Sequence, residues 1–164
     1  MRILALMILA AVALVGCGKK DDGNTGVVNP NKPSPKAVVF ANTILEQLKK
    51  PTGELTTADL EKVRDLTLAD NQLTRIPKEL EKLTKLKRLD ISYNQLTDVK
   101  GLEKLTQLEK LDLKYNQLTD VKGLEKLTML TELGLYNLPD LTKVQIDELQ
   151  KALPKCKIYS NPTK

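Results

Sequence analysis

Two runs of 22 residues stand end to end and are nearly identical: Leu86 to Gln107 reads LKRLDISYNQLTDVKGLEKLTQ, and Leu108 to Met129 reads LEKLDLKYNQLTDVKGLEKLTM. A fixed period of this length constrains the chain to a solenoid, because one unit cannot cover its own apolar face and must stack on a copy of itself. Within each unit the x-L-x-L-x stretch alternates, which predicts a short strand with one face inward and the other outward. Stacked units then pair strand to strand as a parallel sheet. Such a sheet builds an extended surface more readily than an enclosed cleft.

Aligning the units on their asparagine extends the array. Val63, Leu66, Leu68, Asn71, Leu73, Ile76, Leu80 and Leu83 fit the same template upstream, with one extra residue around Pro77. Leu130, Leu133 and Leu135 begin a fourth copy. The template L-x-x-L-x-L-x-x-N-x-L resembles that of the leucine-rich-repeat family. The D-V-K-G-L-x-x-L half of the middle units is similar to the internalin-type variant of 22 residues. The resemblance covers roughly residues 60 to 141. It implies an α/β solenoid of about four repeats, with a parallel concave sheet, short 3₁₀ turns on the convex side and helical caps at both ends. Each middle unit would bury about seven aliphatic groups, in one case Leu108, Leu111, Leu113, Leu118, Val121, Leu124 and Leu127, at roughly 1.5–3 kcal/mol each.

Asn71, Asn94 and Asn116 follow the strands, where the chain turns and leaves backbone groups unpaired. A short amide there bonds its own and neighbouring coils, so these residues read as structural. The fourth unit has Leu138 at that position, which predicts that the ladder ends there.

Open ends of a solenoid expose core and sheet edge, so covers are expected. Upstream, Ser34-Pro35 starts a helix with Val38, Ala41, Leu45 and Leu48 on one stripe, and Pro51-Thr52-Gly53 ends it. Thr56 with Asp59 opens a second short helix, and GELTTADLEKV resembles the amino-terminal caps of bacterial leucine-rich-repeat proteins. Downstream, Thr142 and Gln145 make a capping-box pair, Ile146, Leu149 and Leu153 share a face, and Pro154 stops the helix. Cys156 to Tyr159 adds a last strand.

The amino terminus reads differently. Arg2 precedes an apolar run from Ile3 to Val15, too short to span a bilayer and suited to a secretory signal. Its end, Leu14-Val15-Gly16-Cys17, resembles the lipobox of bacterial lipoproteins. That resemblance implies cleavage before Cys17 and lipid attachment at the Cys17 thiol, with acyl chains adding about 0.8 kcal/mol per buried methylene to membrane anchoring. Gly18 in place of aspartate favours the outer membrane if the organism is Gram-negative. Residues 18–35 are polar and carry Gly, Asn and Pro, so they read as a tether of roughly 25 Å reach. The expected organisation is a signal peptide over 1–16, an anchored tether over 17–35, an amino-terminal cap over 36–62, repeats over 63–141 and a carboxy-terminal cap and tail over 142–164.

Charge and composition narrow the function. The formal net charge is +5, and lysine alternates with glutamate in the L-E-K-L segments, which argues against a nucleic-acid partner. Of the 2 cysteines, Cys17 is consumed by lipid and Cys156 is left as a buried apolar group. The chain has no histidine and no tryptophan, no Gly-rich phosphate loop and no cysteine pair at metal spacing, so neither cofactor nor metal is expected. Asp90 and Asp112 should lie about 5 Å apart on neighbouring strands, yet an open sheet does not raise a carboxyl pKa as a cleft does. Ser92 faces the same side with no base evident beside it. Enzymatic activity is therefore not expected.

The outward strand positions form rows: Asp65, Arg88, Lys110 and Glu132; then Thr67, Asp90, Asp112 and Gly134; then Ala69, Ser92, Lys114 and Tyr136. Tyr93 and Tyr115 occupy equivalent places and should stack. Arg88, Asp90, Tyr93, Lys110, Asp112, Lys114, Tyr115, Glu132 and Tyr136 are thus candidate contacts for an unidentified protein or glycan partner. The same residues also read as solubilising side chains, with Asp65 pairing Arg88 across the strands. A monomeric, membrane-anchored module for partner binding is one expectation, and a non-selective envelope scaffold is the other. If the lipobox reading holds, Cys17→Ala releases the protein from membrane fractions, as immunoblotting of fractionated cells would show.

Overall fold

The computed structural model describes residues 35–50 and 55–161, with side chains from residue 40 onward. The signal peptide, Cys17 and its tether, Ser34, Val38 and the Pro51-Thr52-Gly53 breaker lie outside the described residues or side chains.

Five short strands make one sheet in sequence order: β1 (Asp65–Thr67), β2 (Arg88–Asp90), β3 (Lys110–Asp112), β4 (Glu132–Leu135) and β5 (Lys157–Ser160). Every neighbouring pair is parallel. Leu66, Leu89, Leu111, Leu133 and Ile158 stand in one inward row, so the leucine alternation sets the register. The ladder continues past the strands, with Leu68 N donating to Asp90 O at 2.7 Å and Ile91 N to Asp112 O at 3.0 Å. Opposite the sheet run three 3₁₀ turns, Lys78–Lys82, Leu102–Lys104 and Leu124–Lys126. The last two are entered through Gly101 and Gly123 at φ of 99° and 102°, a conformation in which a side chain is strained.

The core is a single column of leucine, isoleucine and valine running the length of the stack, and all seven aliphatic groups expected of the third coil are buried in it. Where each coil turns away from the sheet, the amides take over. Asn94 Oδ1 accepts from the backbone N of Asn71 (3.0 Å) and Leu73 (2.9 Å). Its Nδ2 donates to the carbonyls of Leu68, Ile91 and Ser92 at 2.9–3.0 Å. Asn116 repeats this one coil on, accepting from Leu96 N at 3.0 Å and donating to Ile91 O and Leu113 O at 3.1 and 2.9 Å. Leu138 is buried where the series ends.

Both caps are present. Helix α1 (Pro35–Gln47) covers the β1 edge, and its Gln47 Nε2 donates to Asp65 O. The buried positions on α1 are Phe40 and Ile44, with Leu48 packed beside them, whereas Ala41 and Leu45 are half-buried. The covering face is thus turned by about one residue from the stripe read in the sequence. The apolar residues of α1 span more than one stripe, and contact with β1 selects the one carrying Phe40 and Ile44. Lys49 at φ 51° closes α1, with Lys50 N bonded to Leu45 O and Lys49 N to Glu46 O.

Helix α2 (Thr57–Leu60) has the Thr56–Asp59 capping box. Lys50 and Thr56 hydrogen bonds hold the Asp59 carboxyl well below the usual carboxylate range. Helix α3 (Lys143–Ala152) has the Thr142–Gln145 box, and Ile146, Leu149 and Leu153 seal the far end. Cys156 is buried beneath β5, and burial, then the Glu132 carboxylate, pushes its thiol pKa up.

The unequal burial of the amides yields a stability order. Asn94→Ala strands several buried backbone groups and should cost about 3 kcal/mol. Asn71 is half-buried and its Nδ2 donates to Ala69 O at 2.8 Å within its own turn, so Asn71→Ala should cost less than about 1 kcal/mol. Urea unfolding of the two variants would reveal the order.

Candidate functional site

Each outward row of the sheet lies where the repeat register puts it. Asp65, Arg88, Lys110, Glu132 and Lys157 stand side by side, as do Thr67, Asp90, Asp112, Gly134 and Tyr159. All of these except Lys157, together with Lys114 and Tyr136, line an open groove along the concave side, and Lys157 stands beside Glu132 at its β5 margin. Charge on this groove is largely internally paired. Arg88 binds Asp65, Lys110 Nζ lies 2.6 Å from Glu132 and Lys114 Nζ 2.7 Å from Asp112. The Asp112 bond raises the Lys114 pKa above the ordinary lysine value.

Gly134 shapes the middle of the groove. A Cβ there would lie 2.8 Å from Asp112 Oδ1 and 2.9 Å from Lys114 Cε. The Asp112–Lys114 pair therefore occupies the space that a side chain on β4 would take.

Ser92 differs from its sequence reading. It is buried, and its hydroxyl donates to Asp90 Oδ1 at 2.6 Å, the same oxygen that accepts Ser92 N at 3.0 Å. A carboxylate does stand beside the serine, but the pair closes a turn and the hydroxyl is covered. Asp112 Oδ1 likewise accepts Lys114 N at 3.1 Å. Among the described residues no group of three or more histidine, cysteine or acidic side chains is placed to hold a metal.

The tyrosines form the rest of the surface. Tyr93 and Tyr115 stack with ring centroids 4.3 Å apart and planes 12° from parallel. They are 55% and 44% exposed, and desolvation, then the adjacent Tyr115, raises the Tyr93 pKa. Tyr136 and Tyr159 make a second, tilted pair at 6.5 Å, with Lys157 Nζ 4.8 Å above the Tyr159 ring. The 4 tyrosines of the chain thus form two pairs, Tyr136 and Tyr159 lining the groove and Tyr93 with Tyr115 beside its Asp112 and Lys114.

The backbone under the first pair is costly. Asp70, Tyr93, Tyr115 and Asn137 are equivalent in their coils, and all have φ of 54–55°. Inter-coil bonds hold them there: Tyr93 N donates to Lys114 O, and Tyr115 N to Tyr136 O, each at 3.0 Å. Asparagine and aspartate tolerate this left-handed region, whereas a bulky ring is an outlier costing about 1 kcal/mol.

Sequence reading places Arg88, Asp90, Lys110, Asp112, Lys114, Glu132 and Tyr136 on the groove, with Tyr93 and Tyr115 at the end of the strands, and the structure brings them together there. It omits Lys157 and Tyr159. The alternation of K-I-Y against E-L-G of β4 carried that signal, since β5 continues both rows.

Residues 61–118 match the family model for the leucine rich repeat. Among solved structures, a leucine-rich-repeat protein of Leptospira interrogans is 33% identical, with a TM-score of 0.56, over 65% of this chain and 28% of that one. Internalin C2 of Listeria monocytogenes is 25% identical, with a TM-score of 0.63, over 77% of this chain and 56% of that one. A further Listeria monocytogenes internalin, 24% identical with a TM-score of 0.54 over 76% of this chain and 42% of that one, shares the fold. The chain thus spans 28% to 56% of the length of these structures. No curated protein sequence matches it. Among the described residues no helix is long and apolar enough to cross a membrane.

The tight fit over Gly134 is testable. Gly134→Ala should cost about 1 kcal/mol by overpacking, and less in an Asp112→Ala background, where the crowding carboxylate is gone. A double-mutant cycle by thermal unfolding measures the coupling.

Proposed function

We propose that this chain, a bacterial leucine-rich-repeat protein, uses its concave face to bind a protein partner while lipid on Cys17 holds it at the cell envelope. The observation that carries the reading is the placement of every tyrosine in or beside the groove, two of them on strained backbone. Solubility alone does not account for that choice. Asp70 and Asn137 fill the same position in the outer coils with residues suited to a left-handed backbone. Putting exposed rings at the two central coils gives up local stability, and such sacrifice is a mark of binding surfaces. Tyrosine supplies large amphipathic contact area at low entropic cost, which suits it to anchor an interface.

Protein is favoured over glycan by the ring geometry. Tyr93 and Tyr115 lie nearly parallel, so each hides one face against the other. What remains exposed are rims, hydroxyls and the outer faces, a ridge better suited to side-chain contacts than to stacking successive sugars.

Replacing both rings separates anchoring from folding. In Tyr93→Asn with Tyr115→Asn, relief of the left-handed strain offsets loss of the ring stack, so stability should change by less than about 1 kcal/mol. Capture of a cross-linked envelope partner should fall at least about tenfold, the loss of one interface anchor. Undiminished capture by a variant with unchanged melting temperature would overturn the concave-face reading.

A further inference from the structure

The charges along the sheet form a pattern that pairing within the chain leaves incomplete. Asp65, Asp112 and Glu132 are each taken by a basic neighbour, Arg88, Lys114 and Lys110 respectively. A partner reaching for any of these would first have to break a pair. One charge of each sign is left over. On β2, Asp90 accepts the amide and hydroxyl of Ser92 and forms no direct ion pair among the described residues, although the Lys114 ammonium held by Asp112 also feels its charge. On β5, Lys157 rests over the Tyr159 ring and pairs with no carboxylate among the described residues.

Asp90 lines the groove on β2, and Lys157 stands at its β5 margin beside Glu132. From β2 to β5 is three strand spacings, roughly 14 Å, and the two residues along the strand add roughly 7 Å, a diagonal of about 16 Å. Asp90 lies three residues before Tyr93 in its coil, and Lys157 lies beside Tyr159. The low floor over Gly134 lies between them, filled only as high as the Asp112–Lys114 pair. The residual field is therefore a dipole laid across an aromatic and otherwise self-neutralised surface. A polyanion or a polycation would meet as much repulsion as attraction here. A segment with one charge of each sign meets net attraction at both ends, since Glu132 beside Lys157 and Lys114 beside Asp90 are already neutralised by their own partners.

Building on the concave-face reading, we propose that the groove takes a protein segment carrying one basic and one acidic side chain about 16 Å apart. The basic group seats over Asp90, the acidic group over Lys157, and apolar or aromatic side chains between them lie against the tyrosines. That separation corresponds to about five residues of extended chain or about ten of helix.

A random 16-residue peptide library displayed on phage, panned on the purified full-length chain, tests this without knowledge of the natural partner. Enriched peptides should share the charge pair at one of those two spacings. Their titration should show about fivefold weaker binding to Asp90→Asn and to Lys157→Gln, and more than about tenfold to the double variant, with a marked loss in high salt. Asparagine at 90 keeps the acceptor that Ser92 uses, so the turn is preserved. Peptides without the charge pair, or with equal affinity for the double variant, would overturn the proposal. If such peptides still lose affinity for the Tyr93→Asn, Tyr115→Asn variant, the concave-face reading survives and only the charge rule fails. Indifference to the tyrosine variant, or no enrichment at all, would sink both.

Discussion

Every coil of this molecule has to turn away from the sheet, and each turn buries backbone groups that the next coil cannot reach. Asn94 and Asn116 solve this by standing inside the turns and bonding both coils at once. Each amide uses acceptor and donor together, so its geometry allows one spacing and one register between coils. An unmet group in that position would cost about 1–3 kcal/mol, comparable to burying one leucine. The leucine column supplies the driving force for stacking, and the amides decide how the stack is aligned. Where the series ends at Leu138, the molecule changes strategy and α3 closes the column instead.

A rigid register turns a linear repeat into rows of side chains, and the concave surface follows from it. Residues 22 or 23 apart in the chain become neighbours, so Arg88 meets Asp65 and Lys110 meets Glu132. The same constraint imposes a left-handed backbone at one equivalent position of every repeat, where Asp70, Tyr93, Tyr115 and Asn137 stand. The two central tyrosines are thus held in place by a framework that would be more comfortable without them. Their stacking returns part of the cost, but the exposure of both rings finds its rationale in a partner.

Much of this was legible because the repeat is its own alignment. Strand positions, amide roles and the Tyr93–Tyr115 stack follow from comparing copies within one chain, while the 3₁₀ turns are what the family resemblance implies and the two capping boxes rest on local spacing. Reading weakened where no copy exists. On α1 the buried face passes through Phe40 and Ile44 rather than Ala41 and Leu45, since a helix met once offers several apolar stripes and only its contact with β1 chooses. Lys157 and Tyr159 do not stand out in the sequence as surface residues because β5 belongs to a divergent last coil. The Asp90–Ser92 bond is not legible in the sequence, because spacing places the two on one face without saying that a carboxylate folds back onto its own turn.

The sequence by itself determined the solenoid, its period and the side of the sheet each residue faces, because those depend on spacing and on which residues are apolar. It also carries the run ending at Cys17 that resembles a lipobox, a reading that rests on local pattern alone. The tertiary structure decided which charges find partners and which do not, and that Gly134 makes room for Asp112 and Lys114. It also decided that the tyrosines of four different coils gather in or beside one groove. Those outcomes depend on distances between side chains brought together only when the coils stack, a property of the assembled register rather than of any one repeat.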